Sequence, residues 1–188
     1  LFKKNIEKAD IVIICDYGHY LINEQIAKKI SNIKKTLIVN TQINAANFGF
    51  HGISKYRGCE CAVINELELR FETRNRKEKV SNLLKKLAKK LKIQTLVVTC
   101  GNKGSYAYSN KLNKIFYCPA FATNVVDKIG AGDCFMSVFG IISKYSKNDL
   151  LLPMFIASIA TSDIISGYGN QNKLNLNSLK KNIQYLLK

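Results

Sequence analysis

The chain has 188 residues, 47% of them hydrophobic, which suits one folded domain of roughly 100–200 residues and excludes a disordered chain. Its 29 basic against 13 acidic residues give a formal charge of +16, which attracts anions without choosing among nucleic acid, an anionic membrane and anionic metabolites. No signal peptide is visible and no apolar run reaches the roughly 18 residues of a membrane span, so the sequence reads as a soluble, cytoplasmic protein.

The first residue is leucine, and residues 2–10 read as the tail of a helix running into a strand, which predicts a piece of a longer chain. Short apolar, β-branched runs at 11–15, 36–39, 61–64 and 95–99 predict strands covered on both faces. Between them, residues 22–33 and 80–91 carry helical spacing of three and four. Residues 45–56 make a weaker helix broken by Gly49 and Gly52. Alternation of this kind predicts a parallel sheet with right-handed crossovers. Residues 105–109 and 114–118 then flank a turn at 110–113, an antiparallel hairpin. Helices follow at 131–145, 150–165 and 176–187, with a loop at 167–175 and Pro153 in the first turn of the middle helix. No repeat or low-complexity linker interrupts the chain, so residues 1–188 are expected to form a single domain.

Much of the basic excess lies in residues 77–92. There Val80, Leu83, Leu84, Leu87 and Leu91 share one helical face, while Lys79, Lys85, Lys86, Lys89 and Lys90 fall elsewhere. That is the pattern of a solvated helix face; a nucleic-acid surface calls for a known module or interleaved aromatics, and neither is present. The six cysteines, Cys15, Cys59, Cys61, Cys100, Cys118 and Cys134, form no CxxC pair and read mostly as reduced, buried thiols. Cys59 and Cys61 have no second Cys or His cluster to complete a metal site. His19 and His51 read as polar loop or helix residues.

Chemistry concentrates in Val126-Asp127-Lys128-Ile129-Gly130-Ala131-Gly132-Asp133-Cys134-Phe135. Three small residues let backbone approach a ligand closely. They stand at a helix start, where N–H groups and the positive end of the dipole favour an anion such as a phosphoryl group. Asp133, in the first turn, either complements the dipole or accepts a proton from a nucleophilic hydroxyl. A dinucleotide fingerprint fails because its third glycine falls on Phe135, and no GxxxxGK[ST] loop exists.

Residues Asp127 to Asp133 resemble the D-T-x-G-A-G-D signature of the ribokinase, or PfkB, family of carbohydrate kinases. The resemblance implies that Asp133 is the catalytic base, that Gly130, Ala131 and Gly132 form an anion hole, and that Asp127 faces the substrate. Lys128 and Ile129 replace the more usual threonine pair, a departure that falls on substrate and monovalent-cation contacts. Asn65-Glu66-Leu67-Glu68 is similar to the family's N-x-x-E motif, which assigns Asn65 and Glu68 to magnesium and nucleotide phosphate; oxygen donors suit a hard cation that keeps several waters. Thr99, Gly101 and Gly104 match its T-x-G-x-x-G phosphate loop. Asn40 stands where ribokinases often present a nucleotide contact, and residues 167–170 where adenine is approached.

Cys15-Asp16-Tyr17-Gly18 resembles the S-D-Y segment of the heptose-phosphate kinase branch, with Cys15 in place of serine. Asp16 is left either facing the cleft or capping a helix. The implied fold is a ribokinase-like three-layer αβα sandwich with a mostly parallel sheet and a late antiparallel hairpin, without the N-terminal sugar-binding strands and lid. The implied activity is ATP- and Mg2+-dependent phosphorylation of a hydroxyl on a sugar or sugar phosphate, in a longer protein of a family whose dimers often form through the lid; the sequence leaves the oligomeric state open. The alternative is a non-catalytic nucleotide-binding or assembly module of the same fold.

Overall fold

Four runs rich in valine, isoleucine and leucine form the first strands of the computed structural model, which describes residues 6, 8–33, 35–45, 47, 49–146, 148–168 and 173–187. They are β1 (Ile11–Asp16), β2 (Thr36–Thr41), β3 (Cys61–Asn65) and β4 (Thr95–Thr99). Consecutive strands pair in parallel, with Ile11 opposite Thr36, Ile38 opposite Cys61, and Cys61 opposite Thr95. The inner strands β2 and β3 are almost wholly buried, as parallel strands under crossovers should be. β1 departs from the expected double coverage: it lies at the edge of the sheet, is half-exposed from Ile11 to Ile14, and presents Cys15 to solvent.

β5 (Ser105–Ser109) and β6 (Lys114–Cys118) complete a six-stranded sheet in sequence order. The connections before and after β5 are far shorter than the dozen or so residues a parallel crossover needs, so these neighbours run antiparallel. The mostly parallel sheet with a late hairpin is therefore as expected.

Helix α1 (Glu24–Ser31) begins at Asn23, whose side chain accepts from Ile26 N at 2.9 Å. That cap is Asn23, not Asp16. Helix α2 (Glu66–Thr73) has no counterpart in the sequence reading. Helix α3 (Val80–Leu91) buries Leu83, Leu84, Leu87 and Leu91, each burial worth roughly 1.5–3 kcal/mol, and turns Lys86, Lys89 and Lys90 outward. Lys92, left-handed at φ 58°, ends it by donating to Ala88 O and Lys89 O.

Residues 45–56 do not form the expected helix. Among the described residues of that stretch Gly49 is left-handed at φ 95°, and only Ile53–Tyr56 winds into a 3-10 turn. Helices α4 (Ala131–Tyr145), α5 (Leu151–Ile165) and α6 (Leu176–Leu186) follow, with α4 packed on α5 and α5 on α6. Pro153 is the third residue of α5, where a missing N–H costs nothing. Of the loop expected at 167–175, residues 169–172 lie outside the described residues.

The chain divides into two compact units. One contains the residues up to Thr99 together with Tyr106–Phe116, the other Cys100–Ser105 and the residues from Tyr117 onward. Among the described residues no helix is long and apolar enough to cross a membrane.

Candidate active site

The second unit carries the Gly-Ala-Gly segment. Gly130, at φ 76° and ψ −2°, is the residue before α4, a left-handed position that suits glycine. Asp127 Oδ1 accepts from Ile129 N at 2.9 Å, and Ala131 N donates to Lys128 O at 3.2 Å, which closes the turn leading into the helix. As the N-cap residue of α4, Gly130 brings no side chain of its own to that helix start. A Cβ built on Gly132 would meet nothing within 4 Å, so the space beside Gly132 is open. Asp133 follows, half-buried in the first turn.

In the first unit the N-x-x-E residues close on each other. Asn65 Oδ1 accepts from Glu68 N at 2.9 Å, while Glu68 Oε2 accepts from Asn65 N at 2.8 Å, a reciprocal capping box that starts α2. Glu68 is only 4% exposed, and its other oxygen accepts from Ile43 N at 3.3 Å. Burial pushes its carboxyl above the ordinary range, and the bonds from Asn65 and Ile43 offset part of that rise. Asn40, 7% exposed at the end of β2, donates to Val63 O at 2.8 Å. Its Oδ1 is buried and accepts no hydrogen bond within the described residues.

Thr99 ends β4 and leads into a short 3-10 turn, Gly101–Lys103. Gly101 (φ 59°) has open space where a Cβ would be, whereas one on Gly104 (φ 83°) would lie 2.1 Å from Cys118 O. Gly104 is thus required by packing, and Gly101 by backbone conformation alone.

One cluster escaped the sequence reading. Asp16, 4% exposed, accepts from Lys55 Nζ at 2.5 Å, Tyr56 Oη at 2.6 Å and Gly18 N at 3.1 Å. Burial pushes its carboxyl up, but these donors outweigh it and hold the group below its ordinary value of 3.8. Buried His51 sets Nε2 3.0 Å from Asp16 O. A carbonyl can only accept, so Nε2 carries hydrogen and Nδ1 faces Lys55 Nζ at 3.4 Å. The cluster borders a cleft of about 860 Å³ whose lining includes Gly18, Tyr20, Asn47, Phe50, His51 and Lys55. None of Asn40, Asn65 or Glu68 lines that cleft. The sequence offered no signal for the cluster, because its partners stand 35 to 40 positions after Asp16.

All six cysteines are free, four of them buried. Burial pushes the Cys59 thiol up to about 12 and the Cys61 thiol well up, which disfavours the thiolate that metal binding needs. Among the described residues no group of three His, Cys, Asp or Glu side chains could hold a metal ion.

Residues 1–149 match the description "pfkB family carbohydrate kinase". The chain belongs to that family. It is 24% identical over 173 residues to the bifunctional protein HldE of a Nitratiruptor species, an alignment that covers 90% of this chain and 35% of that protein. It therefore spans about a third of the length of such curated relatives. Among solved structures it is similar to an Arabidopsis thaliana ribokinase complexed with ribose and ATP, with a TM-score of 0.78, 22% identity, and 96% of this chain and 58% of that one covered. A protein described as ribokinase II from E. coli, complexed with ATP and Mg2+, gives a TM-score of 0.76 at 13% identity, with 97% and 61% covered. The pfkB-family chain thus has a ribokinase-like fold.

The donors present fit a nucleotide and magnesium. The glycine-led start of α4 suits an anion, and the unused Asn40 Oδ1 suits an N–H or O–H donor. Asn65 Oδ1 and both Glu68 oxygens already accept backbone N–H bonds, so they suit a magnesium ion that keeps its waters rather than one bound directly.

Proposed function

We propose that this pfkB-family chain is the ATP-binding portion, folded as one domain, of a kinase that phosphorylates a hydroxyl on a sugar or sugar phosphate. The observation that carries the reading is the helix start Gly130-Ala131-Gly132: its N-cap is a glycine with no side chain, a Cβ on Gly132 would meet open space, and Asp133 follows in the first turn.

Asp133 takes the proton of the sugar hydroxyl as its oxygen bonds to the terminal phosphorus of ATP and the bond to ADP breaks. The amides and dipole of α4 at Gly130, Ala131 and Gly132 stabilise the charge on the transferring group without reorganising. Asn65 and Glu68 orient the waters of magnesium, which supplies positive charge to the phosphates. Thr99, Gly101 and Gly104 form the loop beside those phosphates, Asn40 offers its free oxygen to the nucleotide, and Asp127 faces the acceptor. An acceptor of the heptose-phosphate type agrees with the resemblance of the Asp16-Tyr17-Gly18 segment.

The test is ADP release by the intact protein over a panel of sugars and sugar phosphates. Asp133→Asn should cut turnover by about 10²- to 10⁴-fold while ATP affinity stays unchanged; equal turnover in that variant ends the assignment. ATP-dependent stabilisation with no turnover on any sugar would point instead to a non-catalytic nucleotide-binding module.

A further inference from the structure

We infer that Asp16 is a positioning residue for Glu68, acting through the turn that follows β2. The inference rests on the reading of Glu68 as a magnesium- and phosphate-organising group. Among the described residues, the one hydrogen bond Glu68 accepts from outside its own helix start comes from Ile43 N. Ile43 lies between Gln42 and Asn44, and both neighbours are tied to the end of β1. Gln42 N donates to Asp16 O at 3.0 Å. Asn44 Nδ2 and Asn47 Nδ2 donate to Tyr17 O at 3.0 and 3.1 Å.

Asn44 and Asn47 also brace each other, each backbone N–H donating to the other's side-chain oxygen, at 2.8 and 3.1 Å. Gly18 is left-handed at φ 71°, and a Cβ there would lie 2.2 Å from Asn47 Nδ2, so the two segments interlock closely. The Asp16 carboxylate fixes the β1 side of this arrangement. It holds Gly18 N on one oxygen, Lys55 and Tyr56 on the other, while His51 and Gln42 share its carbonyl. A buried carboxylate with an ion partner and a phenol donor is a rigid anchor, because removing its charge strands Lys55 without an ion partner. Once the anchor slackens, Ile43 N moves and Glu68 loses the amide that sets its outer oxygen.

The experiment reads binding, not turnover. It measures the Mg2+ concentration that gives half of the ATP-induced rise in thermal midpoint of the intact protein, in wild type, Asp16→Asn, Glu68→Gln and the double variant. Asp16→Asn should raise that concentration about tenfold, the scale expected for partners that orient a metal-organising group. In the Glu68→Gln background it should add nothing, whereas its effect on the ligand-free midpoint should persist. An Asp16→Asn protein with a lowered midpoint but unaltered Mg2+ dependence would reduce Asp16 to a structural role and overturn the inference. Unaltered Mg2+ dependence in Glu68→Gln would instead remove the underlying assignment of Glu68. Should Asp16→Asn fail to fold, Tyr56→Phe deletes one donor to the same carboxylate and must shift the Mg2+ dependence in the same direction.

Discussion

Two helix starts in this molecule solve the same problem in opposite ways. Helix α2 begins at Asn65, where the Asn65 and Glu68 side chains satisfy the leading amides reciprocally. Helix α4 begins at Gly130, an N-cap with no side chain, and a Cβ on Gly132 would meet nothing within 4 Å. Each helix start presents N–H groups that need acceptors. The first supplies them from its N-cap and N3 side chains, whereas the N-cap of the second is a glycine that has none to give. A self-satisfied start holds structure, whereas an open one with an acidic side chain in its first turn is suited to a phosphoryl group and a proton.

The comparison is sharpened most by filling the open start. Gly132→Ala places a methyl group in the open space beside this helix start without straining the backbone. Turnover should fall by about 100-fold, the cost of a displacement near 1 Å in a reacting geometry. Stability should instead rise by about 0.5–1 kcal/mol, because alanine is the better helix residue. Paired ADP-release and thermal-unfolding measurements check both signs, and a loss of stability would show that the space is not free. Next in size comes Asn65→Ala, which opens the closed start. It should cost about 1 kcal/mol, the usual worth of an N-cap side chain, seen as a lower midpoint in denaturant at an unchanged slope. No loss would mean that the reciprocal bonds of the capping box contribute nothing.

Strands and most helices were legible because their signals are local: β-branched runs for β2 to β4, and apolar spacing of three and four for α3. The Gly130-Ala131-Gly132-Asp133 start was legible for the same reason. Helix α2 was overlooked because Asn65 and Glu68 were read only as a ligand motif, although the same spacing is the signature of a capping box. Residues 45–56 read as a helix because their spacing is weakly helical, and the left-handed Gly49 broke it. The Asp16 cluster could not be read at all. Its donors, Lys55 and Tyr56, come from the far side of a strand and a helix, and one sequence contains no period linking positions so distant.

The smallest effect separates the two buried carboxylates of the first unit through pH. Glu68 is raised above its ordinary 4.5, chiefly by burial, so the folded chain binds that proton more readily than the unfolded chain does. Its contribution to stability is therefore fully present below pH 4.5 and is lost as pH rises through the raised folded value. Asp16 is held below 3.8 by Lys55, Tyr56 and Gly18 against the effect of its burial, so its contribution is present above 3.8 and is lost as pH falls through the lowered folded value. Between pH 7 and pH 4 the thermal midpoint of wild type should consequently gain on that of Glu68→Gln, while its lead over Asp16→Asn holds until the pH drops below 3.8. Parallel midpoint curves for wild type and Glu68→Gln across that range would mean that Glu68 is as well solvated in the folded chain as in the unfolded one. The closed helix start would then not be closed.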